Sequence, residues 1–231
     1  MILNPYFGGD AYFGNVALLL HMEGANGARI YTDSSSYARS LSETGVNETS
    51  TVNFKYGTSS TLMNNGAIYP ADSATLELGS SDWTVEFWCW TSSNTGIAIG
   101  KGNGAGFYSF SLVSELNGGF RKLRVRCSSD GSTYGVDSYF PSGSADGWPT
   151  SQWTHIAVCR NGSNIEVFVD GVSLGTAAVS GTLVNDTEPW LIGRAPGGAY
   201  QFGNLDEFRI TIGVARYTGT FTPPTAAFPD A

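Results

Sequence analysis

The sequence predicts an all-β fold, an antiparallel sandwich or barrel, and three observations carry that expectation. Short runs rich in β-branched and aromatic residues recur along the 231 residues, with Gly, Asn or Ser breaks between them. No stretch shows the spacing of an amphipathic helix. The third observation is the segment 152–176, QWTHIAVCRNGSNIEVFVDGVSLGT. Its apolar runs IAVCR and IEVFV are separated by NGSN, and Asp170-Gly171 leads on into VSLG. Asp-Gly between apolar runs suits a type I′ turn, whose two central residues need positive φ. The segment therefore reads as three consecutive antiparallel strands.

Taken in order, residues 1–14 mix glycine and aromatics without periodicity and read as an arm. Tyr6, Phe7, Tyr12 and Phe13 are its candidate partner contacts, to this domain or to a neighbouring molecule. The domain proper spans 15–231. NVALLLHMEG opens it as a buried strand, followed by the turn-rich ANGARIYTDSSSYARS. Strands are then expected in AIYPA, ATLEL, WTVEFWCWT, IAIGK, YSFSLVS and KLRVRCS, then in the 152–176 segment, PWLIGR and NLDEFRITIG. A short helical turn is expected around GVARYTG. The tail TFTPPTAAFPDA should lie extended across the surface, because proline cannot donate to a central ladder. With no fixed-period repeat and no linker, the chain reads as a single domain.

Hydrophobic residues make up 41% and charged residues only 14%, so Ser, Thr, Asn and Gly must supply much of the polar surface. The net charge of −8 repels phosphate backbones and argues against nucleic-acid partners. The one dense basic cluster, RKLRVR, places Lys122, Arg124 and Arg126 on one strand face, expected to be solvated. Cys89, Cys127 and Cys159 are odd in number and sit in apolar runs, which favours buried thiols over a disulfide framework. MILNPYFGGD lacks the pattern of a secretory signal, and VALLL is too short to span a bilayer. The expectation is a soluble chain made in the cytoplasm, without membrane insertion.

Five pieces stand in order along the chain: VALLLHMEGANG…TDSSS, WTVEFWCW, WTHIAVCRNG…IEVFVDGVSLGT, PWLIGR and GNLDEFRITIGVARYTGTFTPPTAAF. Together they resemble the concanavalin A-like lectin/glucanase superfamily, in its laminin G-like, pentraxin-like branch. The resemblance implies a jelly-roll sandwich of two antiparallel sheets with the first and last strands close together. The closing string RITIGVARYTGTFTPPTAAF looks like laminin G-like domains of bacteriophage structural proteins. What such domains do varies from sugar binding to glycoside hydrolysis to structure alone.

Candidate chemistry is correspondingly sparse. Glucanase relatives carry an E-x-D-x-x-E strand that this chain lacks; Glu166 and Asp170 flank a core strand and a turn. Strand alternation is expected to send Asp206 and Glu207 to opposite faces. His21 and His155 belong to no H-E-x-x-H pair, and no G-x-S-x-G elbow is present. No catalysis is expected. The family pattern implies a calcium ion at Asp33 and Asp206, with Glu23 a weaker third, although Asp33 equally suits a turn cap and Asp206 a strand-edge acceptor. Trp148, Tyr200 and Tyr134 sit in Gly- or Pro-rich loops and are the candidate sugar-stacking residues. Two readings follow: a virion structural protein, as capsid decoration or tail-fibre adhesion module contacting other virion proteins, or a lectin-like module for a host-surface glycan, with or without calcium. Either could be a homo-oligomer.

Overall fold

The computed structural model describes residues 9–102 and 106–231. Two antiparallel sheets pack face to face, with strands numbered along the chain. One sheet has eight strands: β1 (Val16–Leu20), β3 (Glu48–Ser50), β4 (Ser60–Asn64), β6 (Trp83–Trp90), β11 (Trp153–Asn161), β12 (Asn164–Val169), β13 (Val172–Ala178) and β15 (Phe202–Ile212). Their order is β13-β12-β11-β6-β15-β4-β3, and β1 pairs with the second half of β15. The seven-stranded sheet holds β2 (Leu41–Thr44), β5 (Ala67–Pro70), β7 (Ala98–Lys101), β8 (Phe110–Asn117), β9 (Phe120–Cys127), β10 (Val136–Phe140) and β14 (Trp190–Ile192). It runs β10-β9-β8-β7-β14-β5-β2. This is the jelly-roll sandwich that the resemblance implies, with its first and last strands paired.

The core lies between the sheets and follows from alternation along each strand. Val85 and Phe87 of β6, Ile156 and Val158 of β11, and Phe208 and Ile210 of β15 point inward. They meet Phe110 and Leu112 of β8, Leu123 and Val125 of β9, and Trp190 of β14. Burying each such side chain is worth about 1.5–3 kcal/mol. Cys89, Cys127 and Cys159 are free and buried within this frame.

The 152–176 segment forms β11, β12 and β13 as expected. Asp170 (φ 48°) and Gly171 (φ 76°) both take positive φ at the turn. A Cβ on Gly171 would lie 1.9 Å from the Phe221 carbonyl oxygen, so the tail docks where no side chain could stand. That tail crosses the outer face of the eight-stranded sheet, as its prolines predict. Tyr217 and Phe221 stack in parallel at 3.5 Å over it, beside His155 and Phe168.

Beneath the tail is a buried ionic network. Glu86 of β6 is fully buried and accepts from Arg209 Nη2 (2.8 Å) and Nε (3.0 Å), and from the Tyr217 hydroxyl (2.8 Å). Asp10 pairs with Arg209 (3.1 Å) and Arg216 (2.6 Å). His21 bridges Glu207 (2.9 Å) and Asp230 (2.6 Å).

Several expectations are corrected. ATLEL is not a strand but a 3-10 turn, Ala74–Leu76, capped by the Ser73 hydroxyl on the Thr75 amide. GVARYTG forms no helix, because Arg216 turns to Asp10 and to Thr211 (2.6 Å) while its amide bonds Thr84. Of the described part of 1–14, Asp10 joins the network and its amide donates to the Ala231 oxygen (2.8 Å). Phe13 packs on Val16, Leu19 and Phe228, whereas Tyr12 stays 47% exposed. Tyr6 and Phe7 lie outside the described residues.

Removing one member of the network should leave an uncompensated buried charge. Arg209→Met is expected to lower unfolding stability by about 3–5 kcal/mol, read from the urea midpoint. Burial alone would raise the Glu86 carboxyl, but Arg209, His155 and Arg216 outweigh it and hold it at about 2. Its contribution is therefore present above the ordinary carboxylate range and lost as pH falls from about 4.5 towards 2, which an acid titration of stability will show.

Candidate functional site

The outward face of the seven-stranded sheet presents two rows across neighbouring strands. Asp137, Arg126, Ser111 and Gly100 stand in one, and Tyr139, Arg124, Val113 and Ala98 in the next. Their strand neighbours Leu123, Val125, Leu112 and Ile99 are in the core, so these residues point out.

Two loops build walls on this face. The first follows β14. Ala195 packs on Ala98 and Val113, and Pro196 reaches so close to Gly100 that a Cβ there would be 2.4 Å from its ring. Gly197 (φ +89°) then faces the Tyr108 hydroxyl, 2.5 Å from where its own Cβ would be. Tyr200 closes this loop under the Arg194 guanidinium, 5.1 Å from the ring centre. The second loop follows β9 and is shaped by Asp130, whose carboxylate accepts the amides of Ser132 (2.8 Å) and Thr133 (2.7 Å). Those amide bonds hold the Asp130 carboxyl down at about 2.

The Asp130 turn delivers Tyr134 onto a cluster of rings. Phe107 meets Tyr134 edge-on at 4.6 Å, and Tyr108 lies 5.6 Å from Tyr134. Burial, then the Tyr108 hydrogen bond, push the Tyr134 phenol up to about 12. Arg126 sits 5.5 Å from the Tyr108 ring and 5.7 Å from Tyr134. Phe107 remains 39% exposed. Next to Asp137 the face continues into a cleft of about 390 Å³ between the free edges of β10 and β13, lined by Tyr139, Ser142, Leu174 and Thr176.

The structure thus places Tyr134 and Tyr200 on two loops flanking Tyr108. Trp148 is a correction: it is 3% exposed and part of the core, because its loop folds back through Gly147 and Arg121. Lys122 is a second correction, since it is 2% exposed and donates to the carbonyls of Pro141, Gly143 and Ala145. Phe107, Tyr108 and Arg126 were missed as site residues. Only their closeness to Tyr134 in space marks them out.

The carboxylates singled out for calcium do not converge. Asp33 accepts the amides of Leu19, Ser35 and Arg39, with the Arg39 guanidinium 3.6 Å away. Glu23 accepts the amide and hydroxyl of Thr58. Asp206 Oδ2 accepts the amides of Lys55 (2.7 Å) and Tyr56 (3.1 Å). Calcium wants six to eight oxygens. These donor sets do not fit it, and no cluster of three metal-ligating side chains occurs among the described residues. Asp206 and Glu207 also correct the expectation of opposite faces. A bulge between Asp206 and Arg209, with Glu207 at φ 50°, turns both away from the core. Glu166 accepts the Ser173 hydroxyl and Asp170 the His155 amide.

A two-sheet antiparallel jelly roll with its first and last strands paired is a concanavalin A-type sandwich. A laminin G-like family model, described as concanavalin A-like lectin/glucanases superfamily, matches residues 62–214. The chain belongs to the concanavalin A-like lectin/glucanase superfamily. Among solved structures it is similar to domain 4 of AbnA, an extracellular GH43 arabinanase of Geobacillus stearothermophilus, in complex with arabinotriose. That likeness has TM-score 0.62 and 16% identity, over 87% of this chain and 94% of that one. The binding domain of Paraclostridial Mosquitocidal Protein 1 is similar at TM-score 0.58 and 17% identity, over 89% of this chain and 50% of that one. The binding domain of botulinum neurotoxin DC, in complex with rat synaptotagmin II, gives 0.60 and 12%, over 87% and 49%. The chain therefore spans about half of each toxin domain. Identities this low establish a shared fold. No curated protein sequence matches the chain.

Asp206 yields a pH prediction. Burial raises its carboxyl to about 7 against the pull of the Lys55 and Tyr56 amides, and Oδ1 has no partner among the described residues. The folded chain therefore holds a proton that the unfolded chain releases near pH 4. Stability should fall, by on the order of 2–4 kcal/mol, as pH rises from about 4 to about 7. Asp206→Asn should flatten that limb of a denaturation-versus-pH curve.

Proposed function

We propose that this chain is a non-catalytic carbohydrate-binding module that uses the open face of the seven-stranded sheet. The observation that carries this reading is the pair of solvent-facing rings Phe107 and Tyr134, backed by buried Tyr108 and flanked by Tyr200 on a glycine-rich loop. Aromatic faces beside guanidinium and hydroxyl groups offer a sugar both its C–H stacking surface and its polar contacts. Similarity to a domain solved with arabinotriose supports this reading. The other outer face is covered by the chain's own tail. The family resemblance of residues 209–228 favours a phage particle as the carrier, with exposed Tyr12 beside the virion partner. Mass spectrometry of purified particles tests that placement, and absence of the chain from them counts against it.

Binding is tested on an immobilised oligosaccharide panel that includes arabinotriose, with and without chelator. Tyr134→Ala and Tyr200→Ala should each weaken binding about tenfold, a loss of ~1.4 kcal/mol, and the chelator should leave it unchanged. Trp148→Ala should instead cost about 3–5 kcal/mol of folding stability. A panel on which nothing binds would overturn the reading.

A further inference from the structure

On the same face, Arg126 makes no ion pair among the described residues, although its charge helps to lower the carboxyl of nearby Asp137. Every lysine and arginine among the described residues, Arg126 and Arg194 excepted, meets a carboxylate, backbone carbonyls or, for Lys55, the Trp88 ring. The natural partner of Arg126 is Asp137, directly opposite on β10. That carboxylate is already taken at both oxygens by Arg124, Nε to Oδ1 at 2.6 Å and Nη2 to Oδ2 at 2.7 Å. Arg126 Nε is buried and unpartnered as a result. Across the row on β8, the hydroxyl of fully buried Ser111 points to the same side and also lacks a partner.

A buried donor with no acceptor costs about 1–3 kcal/mol, and here two stand opposite each other on adjacent strands, with Arg126 beside the Tyr108 and Tyr134 rings. Such a surplus of donors is the complement of an anion. The guanidinium fork matches a planar carboxylate. The net charge of −8 repels polyanions at long range, so a ligand with one negative group per sugar suits this surface better than a densely charged polymer.

We propose that Arg126 and Ser111 receive the carboxylate of an acidic sugar, a hexuronate or a sialate, while its ring rests on Tyr134 and Phe107. The proposal rests on the reading of this face as a glycan site and adds the class of glycan. Arg194, held on Tyr200 in the loop whose Gly197 faces the Tyr108 hydroxyl, is the second cation that an extended acidic chain would meet.

Calorimetric titration with matched probes tests it: trigalacturonate against galactotriose, 3′-sialyllactose against lactose, and a sulfated galactose oligomer. The acidic member of a carboxylate pair should bind at least about tenfold more tightly than its neutral partner. Arg126→Ala should erase that preference while leaving weak neutral binding, and Arg126→Lys should keep part of it. Tyr134→Ala should weaken both members alike. Equal affinity within each pair, or a preference that survives Arg126→Ala in a folded variant, overturns the acidic-sugar assignment while the glycan-binding reading stands. Preference for the sulfated oligomer over both carboxylated probes overturns the carboxylate assignment. No binding by any probe overturns this inference, and only an empty wider panel overturns the glycan-binding reading as well.

Discussion

The buried carboxylate of Glu86 sets the terms for half of this molecule. It sits in the middle of a central strand, on the face opposite the core, where an ionised group survives only if cations and hydroxyls surround it. Arg209 comes from the neighbouring strand, Tyr217 from the tail, and Asp10 from the start of the described chain joins through the two arginines. One desolvated charge thereby recruits parts of the sequence from both ends. The tail, once recruited, brings Tyr217, Phe221 and Phe228 to cover the remaining outer surface of that sheet.

The two outer faces consequently have different fates. On the eight-stranded sheet, Glu86, Asp10, Arg209 and Arg216 are paired internally, and Tyr217 and Phe221 are consumed in packing. On the seven-stranded sheet a short loop covers only the Ala98–Gly100 side, and the rings of Phe107 and Tyr134 are left beside an arginine whose neighbour has been claimed. A sandwich can bury one face under its own chain and present the other.

Much of the architecture was legible because its signals are local. Alternating apolar runs located β1, β5 to β9, β11, β12, β14 and β15, and Asp170-Gly171 marked its turn. The strands that escaped, β2 (LSET), β3 (ETS), β4 (STLMN) and β10 (VDSYF), are no longer than five residues, and the first three are mostly polar. They are strands because neighbouring strands need partners, and no local pattern announces that need. ATLEL shows the reverse, an apolar run that Ser73 caps into a 3-10 turn. The site was legible only in part. A tyrosine in a glycine-rich loop is a visible hint, which found Tyr134 and Tyr200 but also Trp148, whose loop folds inward. Arg126 was visible only as one member of the basic row RKLRVR: what sets it apart from Lys122 and Arg124 is that Arg124 reaches Asp137 first, a choice made in three dimensions. The Asp206-Glu207 pair misled for the same reason, since a bulge cancels the alternation that a sequence reader counts on.

The pairing of β1 with β15 sets a constraint on how the chain is made. Val16–Leu20 is wholly buried in the finished molecule, yet its only ladder partner begins at Phe208 and lies nearly the full length of the chain away. A ribosome delivering the chain from its N-terminus therefore releases VALLL long before anything exists to pair with it. Closing so long a loop is slow, and the exposed strand edge is sticky throughout. Of all the segments in this protein, that first strand is the one whose safety depends on how quickly synthesis reaches the other end.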